Sequence, residues 1–529
     1  MAPPLAAVSI DDKYALESGR IFVTGTQALV RLPLLQHARD RAADIDTAGF
    51  ITGYQGSPLG GYDRQLWRAQ DFLEKANIRF EPGVNEDLAA TAVWGTQQLN
   101  LIPNPKFEGV FSIWYGKGPG VDRSGDPFKH GNRAGTSAKG GVLIVFGDDH
   151  PAKSSTVAFQ SEPALAANGI PVLYPANVQE LLDFGIHGWA MSRFSGCWIG
   201  FKTINETVEG TASVDVAPER VAIALPEGAV TPVGGVHIRT SFDPVAQEAL
   251  LYDYKLPLAQ AYARANGLNR VSIAAPERRL GIVTAGKTYL DVRQALTSLG
   301  IDDARARSLG ISLYKVGLVW PLEPHGISAF ASGHEELLFI EEKQPLVQDQ
   351  AAALLYNMKD DQRPRIVGKT DERNEFLLPA HSWLETVQIA RVIGARLKVL
   401  EITDSSLTSR LELLQKSEED LADYAKGPTA RLPYFCSGCP HNTSTKVPEG
   451  SMAMSGIGCH AMAMWMDRDT TPPTHMGGEG VNWTGIAPFS NTRHMFQNLG
   501  DGTYYHSGLL AIRAAVKSKV NITYKILKL

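Results

Sequence analysis

The sequence predicts an α/β protein built from doubly wound, parallel sheets in several domains. Strand-like apolar runs alternate with helix-length segments from one end to the other, which is the pattern of helices layered on parallel sheets. The chain has 529 residues, 44% of them hydrophobic, enough for roughly two to four ordinary cores. No repeat at solenoid spacing competes with that reading.

A first block runs over 14–225. Gly49–Thr52 is strand-like and leads into a glycine-rich turn, and GVFSIWY (109–115) and GVLIVFGDD (141–149) are further strands. VQELLDFGIHGWAMSRF (178–194) spaces its apolar residues by three and four, the period of a helix with one buried face. The stretch 226–270 reads as a connector with one helix around QEALLYDYKLPLAQAYARA. A second block, 271–400, opens on the strand RLGIVTAG (279–286) and the helix YLDVRQALTSLG. It continues through SLYKVGLVWPLEP and the strand ELLFIEEKQP (336–345) to the helix ETVQIARVIGARLK. A charged helical linker, 401–430, leads to a third block, 431–529, which starts at LPYFCSGCPHN and ends on a helix and the strand VNITYKIL. The roughly ninety residues after Cys436 are too few for a full doubly wound domain. The third block is therefore expected to be an incomplete C-terminal α/β domain whose last strand exposes an edge.

Charge and cysteine usage exclude several functions. There are 51 basic and 56 acidic residues, net −5, so no basic footprint for nucleic acid and no acidic tail. MAPPLAAVSIDDK lacks the basic-then-apolar order of a secretory signal, and no apolar run approaches the roughly 20 residues of a membrane helix. A soluble cytoplasmic protein, with neither nucleic acid nor membrane as partner, is expected. Four cysteines in this length make no disulfide framework. Cys197, in the apolar run RFSGCWIGF, reads as a small core residue. Cys436, Cys439 and Cys459 cluster within one short stretch, the first hint of chemistry.

Asn498-Leu-Gly500-Asp501-Gly502 precedes a helix and a strand. A carboxylate between glycines on such a turn can reach a Mg²⁺ held by a diphosphate, while the glycines let backbone N–H groups approach the phosphates. Alone this pattern equally describes an Asp-Gly turn. It is preceded, in order, by Phe435-Cys436-Ser-Gly438-Cys439-Pro-His441, Gly456-Ile-Gly458-Cys459-His460 and Gly477-Gly478-Glu479-Gly480. Near the front stand Gly53-Tyr-Gln-Gly56-Ser57-Pro58 and Val84-Asn85-Glu86. Gly116–Arg123 lacks phosphate-loop spacing, so a nucleotide triphosphate is unsupported, and it reads equally as a loop near the substrate or a plain loop. Gly147-Asp148-Asp149-His150 follows a strand, where either ligands or ordinary turn residues sit.

This series resembles the thiamine diphosphate-dependent 2-oxoacid:ferredoxin oxidoreductases, most closely the indolepyruvate type, over nearly the whole chain. The resemblance implies thiamine-enzyme-like sheets: a pyrimidine-binding-like first block, a transketolase-C-like middle block, marked by VTAG and FIEEKQP, and the first part of a diphosphate-binding domain. It implies that Glu86 activates the coenzyme by protonating its aminopyrimidine, in an apolar pocket to which Val84, Leu88 and Ala89 contribute. The plain alternative for Glu86 is a helix-start acid after an Asn85 cap. Ser57 matches the hydroxyl that meets the substrate carbonyl, or is a turn residue before Pro58.

Gly438, His441, Gly458, His460, Gly478, Gly500, Asp501 and Gly502 match the coenzyme-binding segments, with Asp501 a Mg²⁺ ligand; the two histidines are equally readable as structural. Cys436, Cys439 and Cys459 match three of the four thiolates of a [4Fe–4S] cluster, with structural thiols or zinc as alternatives. The implied reaction is oxidative decarboxylation of an arylpyruvate, with coenzyme A taking the acyl group and ferredoxin the electrons. A homodimer is implied, because the family assembles the coenzyme site from two domains, often of two subunits. The family continues past the last strand with a second metal ligand and the fourth cysteine, where this chain has Lys528-Leu529. The resemblance thus implies a fragment that is inactive alone or completed by another chain. A non-oxidative decarboxylase releasing an aldehyde and a non-catalytic scaffolding subunit are the competing functions.

Overall fold

A computed structural model describes residues 8–402, 405–425 and 434–528. The ends of the expected linker (403–404, 426–430) and residues 431–433 of the third block lie outside the described residues. The chain divides after Leu421 into two compact units.

The first unit is organised by a seven-stranded sheet. Its order is Leu318–Trp320, Val172–Leu173, Ile199–Ile204, Val142–Asp148, Gly109–Lys117, Thr47–Gly53 and Ile78–Phe80. Neighbours are parallel except Leu318–Trp320, which adds antiparallel to Val172–Leu173. Val142–Asp148 is buried at every position, as expected of a central parallel strand covered on both faces.

The helix Val178–Ser195 covers one face of this sheet. Asn177 caps it by accepting from the Glu180 amide at 3.0 Å, and Gly196, at φ 75°, ends it in the left-handed conformation. Against it lies Gly25–Ala42, where Leu32 fills the space that a Cβ on Gly185 would occupy, 2.3 Å away.

A second sheet, ordered Arg365–Val367, Glu336–Ile340, Leu280–Ala285, Ile311–Val316 and Arg270–Ile273, carries the middle block. It is parallel except for Arg270–Ile273. Arg20–Thr24 and Thr211–Asp215 form a separate antiparallel pair. The expected α/β architecture of parallel sheets is present, with an antiparallel strand at an edge of each large sheet. One edge strand of the first sheet, Leu318–Trp320, comes from the middle block.

The reason is a shared core. Ile144, Phe146 and Val172 of the first sheet pack in one cluster with Val283, Tyr314 and Phe339 of the second. Polar groups cross the same junction. His150 Nδ1 lies 2.7 Å from Glu342 Oε2, and Lys287 Nζ lies 3.2 Å from Glu342 Oε1. Behind them, Lys202 is buried with Glu162 at 2.5 Å and Asp148 at 3.6 Å. Asp149 accepts from the Lys153 and Ser154 amides, so the Gly147–His150 run serves the turn and the junction.

The helices read from periodicity are present as Val178–Ser195, Thr386–Val399 and Ser405–Ala425. The connector helix is Pro244–Leu250 and Leu256–Ala265 joined by a π-helical turn, Leu251–Lys255. Cys197 is fully buried among apolar neighbours. Among the described residues no helix is long and apolar enough to cross a membrane.

The second unit holds a four-stranded parallel sheet, ordered Thr470–Thr471, Ala453–Met454, Met495–Gly500 and Ile522–Leu527. Met454, Trp483 and Met495 are its buried apolar centre. Ile522–Leu527 pairs on one side only among the described residues.

The junction makes acid stability testable. Burial alone pushes the Glu342 carboxyl up, but His150 and Lys287 outweigh it and hold it at about 2. A carboxyl depressed on folding stabilises above its unfolded value, and that stabilisation is lost as pH falls through the folded value. Glu342→Gln is expected to cost roughly 3 kcal/mol at neutral pH. That difference should shrink between about pH 4.5 and 2 in urea titrations. A pH-independent difference would contradict this coupling.

Candidate active site

In the first unit the candidate residues gather at the carboxyl ends of the parallel strands, where open α/β sheets leave a crevice. The chain leaves Thr47–Gly53 through the turn that holds Ser57. The segment before Glu86 is tied to this turn by the Gly83 amide, which donates to the Gly53 carbonyl at 2.8 Å. Asn85 accepts from the Leu88 amide at 3.1 Å and starts the helix Glu86–Gln97, so the cap expected by the plain reading exists. Glu86 is nonetheless buried, at 6% exposure. The Trp114 indole donates to its carbonyl at 2.9 Å, and a Cβ on Gly120 would stand 2.7 Å from its Cγ and 3.1 Å from Oε1. Only a glycine lets the backbone approach the carboxyl group this closely.

Of Val84, Leu88 and Ala89, expected around Glu86, one of the three is buried. Ala89 is buried, but Val84 and Leu88 are 61% and 55% exposed. Helical geometry explains it: Glu86, Ala89, Ala90 and Val93 share the buried face at spacings of three and four, while Leu88 falls outside it.

Lys117 was not singled out by the sequence. Its stem fills the space beside Gly56, whose Cβ would lie 2.6 Å from Lys117 Cδ, and its Nζ donates to Ser155 Oγ at 3.3 Å. Burial lowers its ammonium, opposed by the charges of Asp149 and Glu86. The signal was a lysine at the carboxyl end of a central strand, hidden inside what read as an irregular loop. Ser57 lines a cleft of about 550 Å³ with Asp148, His150, Lys153, Asn205 and Trp383.

In the second unit most of the remaining candidates meet around one imidazole. A Cβ on Gly456 would stand 2.2 Å from the Asn498 carbonyl and 2.9 Å from His460 Nε2. One on Gly458 would meet His460 at 2.7 Å, and one on Gly500 at 3.2 Å. Asp501 follows Gly500 at the strand end, and its Oδ1 accepts from the Gly502 amide at 2.8 Å. His441 stacks edge-on to His460 at 5.8 Å and to Phe435 at 5.6 Å. Burial first, then the nearby His441, lowers His460 to about 4, while Asp501 acts the other way.

Gly478 does not touch this group directly. It is joined through Glu479, whose Oε2 accepts from the Gly477 amide at 2.6 Å and whose Oε1 accepts from the Ile457 amide at 3.3 Å. Glu479 is fully buried, and sequence reasoning passed over it because a glutamate among glycines has no helical or alternating period to mark it. Gly438, at φ 78°, forms the turn between Cys436 and Cys439, closed by Cys439 N–H to the Cys436 carbonyl at 3.0 Å. The Cys459 thiol is pushed up by burial and then by Cys439 and Cys436.

The second unit suits a polar ligand. His460 Nε2 and both side-chain polar atoms of Asn498 are buried without a hydrogen-bond partner, beside glycines whose Cβ side is filled by His460 and the Asn498 carbonyl. For metals, no group of three or more His, Cys, Asp or Glu among the described residues is arranged to hold an ion. Glu86 and Ser57 belong to one unit and the glycine cradle to the other.

Known proteins match this chain along its length. A family described as the indolepyruvate oxidoreductase domain matches residues 270–421. The indolepyruvate oxidoreductase subunit IorA of Methanothermobacter thermautotrophicus is 22% identical over 530 residues, covering 97% of this chain and 75% of its own. That of Archaeoglobus fulgidus is 24% identical over 527 residues, with 97% and 75% covered. Among solved structures, 2-oxoglutarate:ferredoxin oxidoreductase from Magnetococcus marinus superposes with a TM-score of 0.51 at 15% identity. It covers 72% of this chain and 65% of that one, a likeness of fold. The resemblance read from the motifs is borne out.

The glycine packing has a direct test. Gly456→Ala forces a methyl onto the Asn498 carbonyl and is expected to destabilise the second unit by about 1–3 kcal/mol. Gly485→Ala, in the helix Val481–Ile486 with open space around it, should be neutral or slightly stabilising. Equal melting temperatures for the two variants would contradict the close approach.

Proposed function

We propose, on the premise that the chain is a divergent relative of the indolepyruvate oxidoreductase A subunits, that it works in the oxidative decarboxylation of an arylpyruvate. The substrate is an indolepyruvate-like 2-oxoacid. Carbon dioxide leaves it, coenzyme A takes the acyl group through its thiol, and two electrons pass to ferredoxin. The observation that carries this reading is the glycine cradle around His460, with Asp501 on its turn and unsatisfied polar atoms beside it. A chain that also buries a carboxyl group at a helix start against Gly120 has the second half of the same chemistry.

Thiamine diphosphate, when bound, supplies the electron sink that decarboxylation needs. Glu86 holds the proton that the aminopyrimidine requires, in a setting from which water is largely excluded. Ser57 offers its hydroxyl to the substrate carbonyl. Lys117 places a cation beside Gly56 and Glu86, in keeping with an anionic substrate. Backbone at Gly458, Gly478, Gly500 and Gly502 would hold the diphosphate and Asp501 its Mg²⁺, with His441 and His460 flanking the cradle. Cys436, Cys439 and Cys459, around the turn at Gly438, would supply thiolates to a [4Fe–4S] cluster, although among the described residues they are not arranged as an ion site. We assign the enzyme to the cytoplasm, as a homodimer. The exposed Val84 and Leu88 beside a buried Glu86 support a covering surface there.

Thiamine diphosphate with Mg²⁺ is expected to raise the melting temperature of the chain, by the equivalent of about 2.7 kcal/mol at 100 times Kd. Asp501→Asn should abolish that rise. Glu86→Gln should keep it but slow exchange of the bound coenzyme's C2 proton by about 100-fold or more. No stabilisation of the unsubstituted chain would overturn the reading. Aldehyde rather than acyl-coenzyme A from an arylpyruvate would replace it with non-oxidative decarboxylation.

A further inference from the structure

Glu479 is the most buried carboxylate among the described residues of the second unit, with no measurable exposure. No ion pair is made to it among the described residues. Burial pushes the Glu479 carboxyl up, with backbone amides and the nearby His475 opposing it, and an apolar side chain would be the cheaper way to fill the space. What an apolar side chain cannot do is accept two hydrogen bonds. Each Glu479 oxygen takes one backbone amide, and the two amides belong to different glycine loops: Gly477 N–H at 2.6 Å and Ile457 N–H at 3.3 Å.

The tie continues on both sides. The Ile457 carbonyl accepts from Thr503 Oγ at 3.4 Å, two residues beyond Asp501. The Glu479 carbonyl accepts from the Tyr524 hydroxyl at 3.0 Å, on the strand Ile522–Leu527. Gly480, at φ 82°, leaves room for that hydroxyl, which a Cβ would meet at 2.3 Å. Loop 456–458, turn 477–480, the Asp501 turn and the edge strand are thus all linked through this one residue and its neighbours.

We propose that Glu479 is a positioning residue for the diphosphate cradle: its carboxylate spans the two glycine loops and holds them at the separation in which thiamine diphosphate is bound. The inference rests on the function proposed above. Glutamine is isosteric but carries a single acceptor oxygen and turns an N–H₂ group toward one of the two amides.

The test uses the full chain and thiamine diphosphate with Mg²⁺. Glu479→Gln is expected to raise the coenzyme Kd by about 10-fold or more, the range seen when groups supporting a ligand shell are removed. Without coenzyme, the Ile457 and Gly477 amides should lose protection from hydrogen exchange. Gly485→Ala, in open space and clear of both carboxylate bonds, should keep Kd within about twofold of the unsubstituted chain. Should Glu479→Gln fail to fold, Glu479→Asp keeps the charge on a shorter arm, and the same rise in Kd is expected. Unprotected amides with an unchanged Kd would overturn the inference while leaving the function standing. Failure of the unsubstituted chain to bind the coenzyme would overturn the function, and the inference with it.

Discussion

Close approach of backbone to functional side chains, at positions where no Cβ fits, is the constraint on which both candidate half-sites depend. In the first unit Gly120 brings a helix against the Glu86 carboxyl group. In the second, Gly456, Gly458 and Gly500 surround His460, and loop 456–458 rests on the Asn498 carbonyl. Glycine in such loops carries a larger entropy cost on folding than any other residue. The cores around them carry that cost: fully buried parallel strands in the first unit, and Met454, Trp483 and Met495 in the second.

The first two blocks act together because their sheets share one apolar cluster and one polar junction. A crevice at the carboxyl ends of the first sheet therefore has a wall from the middle block, where Trp383 stands over Lys153 at 4.2 Å. Ser57, His150 and Asn205 line this crevice from three segments far apart in sequence. Rigid strands fix where each segment begins, and the turns between them set what the crevice presents.

Much of this was legible in the sequence. Helices such as Val178–Ser195 and Thr386–Val399 carry a clear helical period, and Val142–Asp148 reads as a buried strand because it is apolar throughout. The glycine motifs were visible by their order, and Gly458, His460, Gly500, Asp501 and Gly502 do come together. What escaped was decided by tertiary packing. Nothing local says that Leu318–Trp320 leaves its own block to pair with Val172–Leu173, or that Leu88 faces outward while Ala89 faces in. Lys117 and Glu479 were missed for a related reason. Their roles lie in the contacts made by charged groups inside loops, which carry no periodicity.

The central claim is that Glu86 and Asp501 serve one and the same coenzyme. An experimental structure of the protein with thiamine diphosphate and Mg²⁺ measures this directly. The account predicts the Glu86 carboxyl group at about 2.6–3.2 Å from a ring nitrogen of the aminopyrimidine. It predicts Asp501 on the metal at the diphosphate of that same molecule, whether from one subunit or two. A bound coenzyme that touches Asp501 but leaves Glu86 of either subunit out of reach would contradict it.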